Sequence, residues 1–190
     1  MKVTLFGGEL PEGWKRVKIG EISKILKGTK PANHANLLGG GGKYPFFTSS
    51  FTTKRSYTFS YDSFSLLVSE GGSTFHAKIY KGKFEASNHT YVIDLEEKEN
   101  TYLVLEFLNN IHLPKLNWFT CATTFLKNLS PQKLKEIEIL IPDQKILEKF
   151  NNFWKNIHSK IEKLELKMQK YEEIKKKLLN SLFSQEIQVY

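Results

Sequence analysis

The sequence predicts an α+β protein in which a mixed domain, residues 1–142, is followed by a long helix in the segment 143–190. Three observations carry this prediction. Short extended runs punctuated by glycine and asparagine fill the first segment. One stretch among them, "ENTYLVLEFLNNI", has apolar residues at helical spacing. After Pro142, glycine and proline are absent from the rest of the sequence.

Runs of β-branched and aromatic residues predict the strands of the mixed domain. They cover residues 44–48, 65–69, 75–82, 90–94 and 137–141. A helix within 99–111 would turn one apolar face toward this sheet, formed by Val104, Phe107, Leu108 and Ile111. A shorter helix is expected to begin at Ser130, which can cap it, with Pro131 at its first position.

Four consecutive glycines, residues 39–42, precede Lys43 and allow two interpretations. A phosphate-binding loop needs a glycine-rich turn that opens a helix and ends in Lys-Ser or Lys-Thr. Here Tyr44 and Pro45 follow the lysine, and both favour an extended backbone. A hinge or hairpin tip is therefore the preferred interpretation, and a nucleotide site is the weaker one.

The formal net charge is +8, from 28 basic and 20 acidic residues, which favours a polyanionic partner. Nucleic acid is the first candidate and an anionic membrane surface is the second. No stretch has the length and apolar character of a signal peptide or a membrane span. Cys121 is the only cysteine, so no intrachain disulfide is expected. These features predict a cytoplasmic protein that does not associate with membranes.

Catalytic and metal-binding motifs are not recognisable. The five histidines form no HExxH pattern, so neither a metal site nor a cofactor is predicted. Asp143, Glu165 and Lys167 do spell the acidic-then-ExK pattern of metal-dependent nucleases. Those enzymes hold the carboxylates and the lysine close together. Along a continuous helix Asp143 and Glu165 would be about 33 Å apart, so an autonomous nuclease is a weak alternative.

The C-terminal helix is expected to begin at Asp143 as its cap. Over residues 143–185 it would be about 65 Å long. Its apolar residues follow the three-and-four spacing of a coiled coil, which predicts a second helix against them. The alternative is an amphipathic helix folded back on its own domain. The predicted dimerisation residues, called the seam below, are Phe153, Ile157, Ile161, Leu164, Met168, Tyr171, Leu178 and Leu182.

Several stretches together resemble the specificity subunit of type I restriction-modification systems. "LPEGWKRVKIGEI" is similar to the opening segment of that family. "GKYPFFTSS", "SLLVSEGGS" and "GKFEASNHTYVI" resemble strands of its target-recognition domain. "CATTFLKNLSPQKLKEIEILIPDQKIL" resembles the segment that closes this domain and starts the long helix.

The resemblance implies that full-length members of this family contain two recognition domains and two long helices paired antiparallel. This sequence contains one of each. The resemblance therefore implies a target-recognition domain over 1–142 and a dimerisation arm over 143–190. It implies a homodimer through an antiparallel coiled coil, which would read a bipartite palindrome in double-stranded DNA. It also implies methyltransferase (M) subunits and often a restriction (R) subunit as partners, and no enzymatic activity or cofactor of its own.

Duplex recognition needs cations for phosphates and hydrogen-bonding side chains for base edges. Three loop segments supply both kinds of group. The predicted DNA-binding residues are Lys27, Lys30, Asn33, His34, Lys43, Thr48, Ser49, Ser50, Thr52, Lys54, Arg55, Ser73, Thr74, His76 and Lys78. Lys54 and Arg55 are expected in a loop between strands. A coiled-coil scaffold without a DNA function, and binding to unpaired bases, stay open as alternatives.

Overall fold

A computed structural model of the protein describes residues 10–37, 42–72, 74–120 and 127–184. The chain divides into two compact units, Met1–Glu148 and Lys149–Tyr190. Within the described ranges, no helix combines the length and the apolar character needed to cross a membrane.

Among the described residues, the strands and the short helices lie in the first unit. The strands are Lys15–Lys18 (β1), Ser23–Lys27 (β2), Tyr44–Phe47 (β3), Lys54–Ser56 (β4), Tyr61–Ser69 (β5), Gly71–Gly72 (β6), Ala77–Ala86 (β7), Thr90–Leu95 (β8), Lys127–Asn128 (β9) and Glu138–Ile141 (β10). The α-helices are Ile19–Ile22 (α1), His34–Leu37 (α2), Thr101–Phe107 (α3), Leu113–Thr120 (α4), Pro131–Lys135 (α5) and Gln144–Phe183 (α6). A 3-10 turn, Lys98–Asn100, precedes α3, and a π-helical turn, Leu108–His112, joins α3 to α4.

Six strands form the main sheet in the order β2-β8-β5-β7-β3-β4. All its neighbours are antiparallel except β3 and β7, which pair in parallel. Two small ribbons complete the unit. One pairs β1 with β10, and the other pairs β6 with β9. The sheet is mixed, as the α+β prediction requires.

Apolar clusters cover both faces of the main sheet, and alternate residues of its central strands contribute to opposite clusters. Leu66 and Val68 of β5 belong to a large cluster that includes residues of α3, α4 and α5. Leu67, between them, belongs to a smaller cluster with Phe84 and Val92. Apolar contacts on both faces fix the register of β5, because a slip by one residue would exchange the two sets.

Two asparagines connect the helical layer to the start of β7. Asn109, in the π-helical turn, accepts from the backbone N–H of Ala77 at 2.9 Å and donates to its carbonyl at 3.0 Å. Asn117 of α4 makes the same pair of bonds with Phe75, at 2.7 and 3.1 Å. Both side chains act as substitutes for a neighbouring strand, which satisfies backbone groups that would otherwise lack partners.

The predicted strands are confirmed, with shifts of a few residues at their ends. Ser130 and Asp143 cap their helices as predicted, accepting from the backbone N–H of Lys133 at 3.2 Å and of Ile146 at 3.1 Å. The placement of Lys54 and Arg55 in a loop was wrong. They lie in β4, because their backbone pairs with β3 and shortens the loop to residues 48–53.

Gly42 is the one residue of the glycine run that the structure describes, since 39–41 lie outside the described ranges. Its φ is 147°, and a Cβ there would lie 2.4 Å from the backbone carbonyl carbon and oxygen of Ser56. A side chain cannot fit so close to another backbone. The hinge interpretation of the run stays a prediction, whereas Gly42 itself permits the contact with β4.

In the second unit the described residues are the remainder of α6, which extends over Gln144–Phe183 without interruption, and Ser184. Its 40 residues give a length of about 60 Å. Every seam residue except Ile157 is exposed, with exposed fractions from 42% for Ile161 to 66% for Met168. Ile157 is partly exposed. Such a continuous apolar stripe has the spacing that pairs with another helix.

Candidate nucleic-acid interface

Lys78 of β7 holds the 48–53 loop in one conformation. Its Nζ donates to the backbone carbonyls of Ser50, at 3.2 Å, and of Phe51, and to the hydroxyl of Thr53 at 3.3 Å. Lys78 was predicted to contact DNA. The structure gives this cation three oxygen partners within the chain, so it orders the polar loop while adding positive charge beneath it.

Short hydrogen bonds inside the 48–53 loop add to this order. The backbone N–H of Ser50 donates to the hydroxyl of Thr48 at 3.2 Å, and that of Thr52 donates to the hydroxyl of Ser50 at 3.1 Å. These are the turns that serine and threonine favour. Thr48 is nearly buried, whereas Ser50 and Thr52 are exposed.

Phe51, at the tip of this loop, is 67% exposed and stacks on His76, with ring centroids 4.2 Å apart. His76 is itself buried. Burial, together with the charge of Lys78, lowers the pKa of His76, so the imidazole is neutral at pH 7. The predicted contact His76 therefore lies beneath the surface and supports the phenyl ring above it.

A cavity of about 620 Å³ lies beside the loop. Residues from six separate parts of the chain line it: the end of β2, Ala32 in the segment before α2, the 48–53 loop, Glu70 with β6, the β7–β8 turn and β9. Its polar lining includes Lys27, Ser49, Glu70, His89 and Asn128. Lys27, Thr48, Ser49 and Ser50 were predicted as site residues, so the fold brings these distant positions together.

Glu70 is the centre of a hydrogen-bonded group in this cavity. Its side chain is only 9% exposed. One carboxylate oxygen accepts from Lys27 Nζ at 2.6 Å and lies 3.1 Å from the Tyr91 hydroxyl. The other lies 3.1 Å from His89 Nδ1. The name Glu70 cluster is used below for these four residues.

Hydrogen bonds and a neighbouring charge keep Glu70 ionised. Burial alone would raise the pKa of Glu70, but the hydrogen bonds from Lys27, His89 and Tyr91, with the charge of Lys27, hold it below its ordinary value. Burial and the negative charge of Glu70 raise the pKa of Tyr91. Its hydroxyl therefore stays protonated and also approaches the carbonyl of Leu129 at 2.7 Å.

The backbone of Glu70 connects the same segments. Its N–H donates to the carbonyl of His89 at 2.9 Å, and its carbonyl accepts from the N–H of Leu129 at 2.7 Å. The carbonyl of His89 also accepts from the Ser49 hydroxyl at 2.8 Å. Glu70 therefore joins the β7–β8 turn to the residue that follows β9, and the carbonyl of His89 joins that turn to the 48–53 loop.

The other predicted contacts lie around this region in different environments. Lys43, on the surface, lies over the ring of Tyr44 at 5.6 Å, and Arg55 donates to the Lys43 carbonyl at 3.4 Å. Lys54 reaches the Ala32 carbonyl at 3.5 Å. The remaining described residues are Asn33, which is exposed, and Lys30, His34 and Thr74, which are partly exposed. Ser73 lies outside the described residues.

The sequence interpretation did not include Glu70, His89 and Asn128 among the site residues. Glu70 follows a buried strand and His89 lies in a tight turn, so neither has a local pattern that marks function. Only the pairing of β5 with β8 and of β6 with β9 brings them to the cavity. In the described part of the chain, no group of three or more His, Cys, Asp and Glu residues could hold a metal ion.

The first unit thus combines a mixed sheet with polar loops gathered at one cavity. Residues 11–176 match the model of the type I restriction modification DNA specificity domain. The chain belongs to this family. Membership confirms the resemblance seen in the sequence and the interpretation of the chain as a specificity component rather than an enzyme.

Individual relatives agree with this assignment. Over 87 residues the chain is 39% identical to the type I restriction enzyme EcoDI specificity subunit of Escherichia coli, covering 46% of this chain and 19% of that relative. The type I S subunit from M. genitalium has a similar fold, with a TM-score of 0.64 and 20% identity over 93% of this chain and 48% of its own. The HsdS subunit from Thermoanaerobacter tengcongensis is also similar in fold, with a TM-score of 0.51 and 16% identity. That match covers 84% of this chain and 41% of the HsdS chain.

Proposed function

We propose that this chain is the sequence-specific, duplex-DNA-recognition component of a type I restriction-modification system. Family membership is the observation that carries this proposal. The convergence of the predicted loops on one polar cavity supports it. In this proposal, residues 1–142 form the DNA-binding domain, and the 48–53 loop with its neighbouring lysines contacts the duplex.

The second part of the proposal is a homodimer through residues 143–190. The exposed seam supports it, because an apolar stripe on a helix about 60 Å long is unfavourable in water. The chain covers about half the length of the solved S subunits that it resembles, so a second copy would supply an equivalent amount. Two arms paired antiparallel would present two identical recognition domains to a bipartite palindrome.

The remaining partners follow from the same proposal. A solved structure with a TM-score of 0.56 and 16% identity concerns complex assembly of a type I system. By analogy, methyltransferase subunits, and often a restriction subunit, would bind this chain and act where it holds DNA in the cytoplasm. The chain itself would contribute recognition and no cofactor.

Mapping methylated bases tests this proposal directly. We would express the chain in a methylation-free host together with the methyltransferase subunit encoded beside it. The expected result is one methylated motif made of two inverted half-sites separated by a fixed spacer. An unsplit motif, or no motif that depends on this chain, would contradict it.

A binding experiment distinguishes recognition from nuclease activity. A recognition protein should bind its sequence in EDTA and should not cleave the DNA when Mg²⁺ is added. A nuclease should cleave with Mg²⁺ and should lose that activity in the Asp143→Ala variant.

A further inference from the structure

His89 is an exposed residue that is held by four hydrogen bonds, three through its backbone and one through its ring. Its carbonyl accepts from the N–H of Glu70 and from the hydroxyl of Ser49, and its own N–H donates to the hydroxyl of Ser87 at 3.3 Å. The ring Nδ1 lies 3.1 Å from the Glu70 carboxylate. Yet 59% of the side chain is exposed. Backbone and ring are therefore fixed while part of the ring faces solvent.

This arrangement determines which ring atom is available to a ligand. An ionised carboxylate accepts hydrogen bonds and cannot donate them, so Nδ1 is the ring nitrogen that carries the proton toward Glu70, and in that tautomer Nε2 is the acceptor. The Nε2 atom is on the opposite side of the ring and then has a lone pair. In the major groove, the exocyclic amino groups of adenine and cytosine are the donors that such an acceptor can meet.

We propose that His89 reads a base edge in duplex DNA through Nε2, and that Glu70 is the positioning residue that fixes its ring. This inference rests on the proposed function. The position of His89 supports it, because the residue lines the same cavity as Lys27, Ser49 and Asn128. Lysine supplies charge for phosphate at this edge, whereas the oriented imidazole supplies a contact that depends on the base.

The Glu70 cluster has a role besides filling space in the core. A carboxylate that is only 9% exposed is costly to remove from water, and an apolar side chain would fill the same space without that cost. What the carboxylate adds is a fixed orientation of Lys27 and His89. Recognition sites depend on such support, since a contact that is free to rotate discriminates poorly.

Two substitutions of His89 distinguish the contribution of Nδ1 from that of Nε2. In His89→Asn the amide nitrogen occupies the place of Nδ1 and can still donate to Glu70, but nothing replaces Nε2. In His89→Gln the amide group reaches the place of Nε2, while the bond to Glu70 is lost. Glu70→Gln leaves His89 intact but removes the anion that fixes its tautomer. Arg16→Gln, on the β1–β10 ribbon, is a control substitution of a residue that does not line the cavity.

The experiment is selection of bound duplexes from a randomised pool by the full-length chain, with a thermal melting curve for each variant. We expect His89→Asn to melt as the wild type does and to lose about tenfold in preference at one base pair of each half-site. His89→Gln should keep part of that preference. Glu70→Gln should weaken it at the same base pair, and Arg16→Gln should leave every position unchanged.

Unchanged preference at every base pair in His89→Asn would overturn the inference, as would a uniform loss across all positions. If His89→Asn does not fold, the same criteria apply to His89→Gln and Glu70→Gln. Absence of any sequence preference in the wild-type chain is a different result, because it would contradict the proposed function itself.

Discussion

At the scale of single residues, Glu70 has the largest effect on the candidate interface, because its side chain and backbone together connect four segments of the chain. Lys27 and His89 donate to its carboxylate from the end of β2 and from the β7–β8 turn. Its backbone bonds to His89 and Leu129. Removing the negative charge therefore disturbs stability and geometry at the same point.

The lowered pKa of Glu70 predicts a pH-dependent contribution to stability. A carboxylate with a depressed folded pKa stabilises the fold fully above its unfolded value, here about 4.5, and this contribution is lost as the pH falls through the folded pKa. We expect Glu70→Gln to reduce the free energy of unfolding by about 1–3 kcal/mol at pH 7. The difference from the wild type should shrink below pH 4.5.

Urea denaturation at pH 7, 5 and 3.5 would measure this difference. Glu138→Gln is the matched control, because Glu138 is 44% exposed and pairs with Arg16 at 3.4 Å. An exposed pair contributes little, so this variant should resemble the wild type at each pH. A difference for Glu70→Gln that stays constant with pH would show that the charge is not responsible.

Close backbone contacts also act at this scale, and the sequence revealed only part of them. At Gly28 a Cβ would lie 2.2 Å from the carbonyl oxygen of Ser87, and no residue with a side chain fits there. The glycine run at 39–42 stands out in the sequence, whereas the single Gly28 does not. A close approach between two distant segments leaves no local pattern, so it becomes visible only in the fold.

At the scale of elements, the strands of the buried sheet were predictable and the peripheral ones were not. β5 and β8 consist largely of apolar residues because both of their faces are covered. β1, with the sequence KRVK, and β4, with KRS, are polar and short. β1 is a strand because the distant β10 pairs with its backbone, and β4 is one because β3 pairs with it across the 48–53 loop; neither pairing can be read from the strand's own residues.

The helical layer shows a similar limit. Val104 and Leu108 are buried as the predicted apolar face requires, but Phe107 and Ile111 are only partly buried. Ile111 lies within the π-helical turn at Leu108–His112, which changes the spacing of the faces by one residue from that point on. This turn places Asn109 against β7. Helical periodicity predicted the element and could not predict the insertion.

The long helix allows a direct test of the proposed dimer. Ile161→Asp combined with Met168→Asp places two charges in the seam, so we expect a monomer by light scattering with the first unit still folded. Leu166→Asp is the matched control. Leu166 is 63% exposed but lies on the opposite side of the helix at about 100° per residue, so this variant should remain dimeric.

Circular dichroism of the same variants would show whether helix content is retained. A double variant that stays dimeric would mean that the seam has been placed on the wrong residues. A control that also dissociates would mean that the dimer depends on general helix stability rather than on the seam.

At the scale of the whole molecule, the proposed dimer would convert two weak contacts into one specific contact. The net charge of +8 favours association with any duplex, and such binding weakens with salt. Specificity would come from two identical half-sites read together, because the second contact becomes intramolecular once the first has formed. Spacing between half-sites therefore becomes part of the recognised sequence.

Changing that spacing tests the whole assembly. Insertion of five base pairs rotates one half-site by about half a helical turn relative to the other. We expect affinity to fall at least tenfold, toward that of a duplex with a single half-site, when measured by fluorescence anisotropy in EDTA. A duplex with the original spacer and one scrambled half-site is the control. Equal affinity for all spacers would mean that the two halves bind independently.

The pairing of β1 with β10 determines when the first unit can finish folding during synthesis. Arg16 and Glu138, which meet across it, are separated by 122 positions in the chain. At a synthesis rate of about 5–20 residues per second, β1 leaves the ribosome roughly 6–24 seconds before the strand it pairs with. During this interval β1 is unpaired, and its lysines and arginine disfavour pairing with other nascent chains.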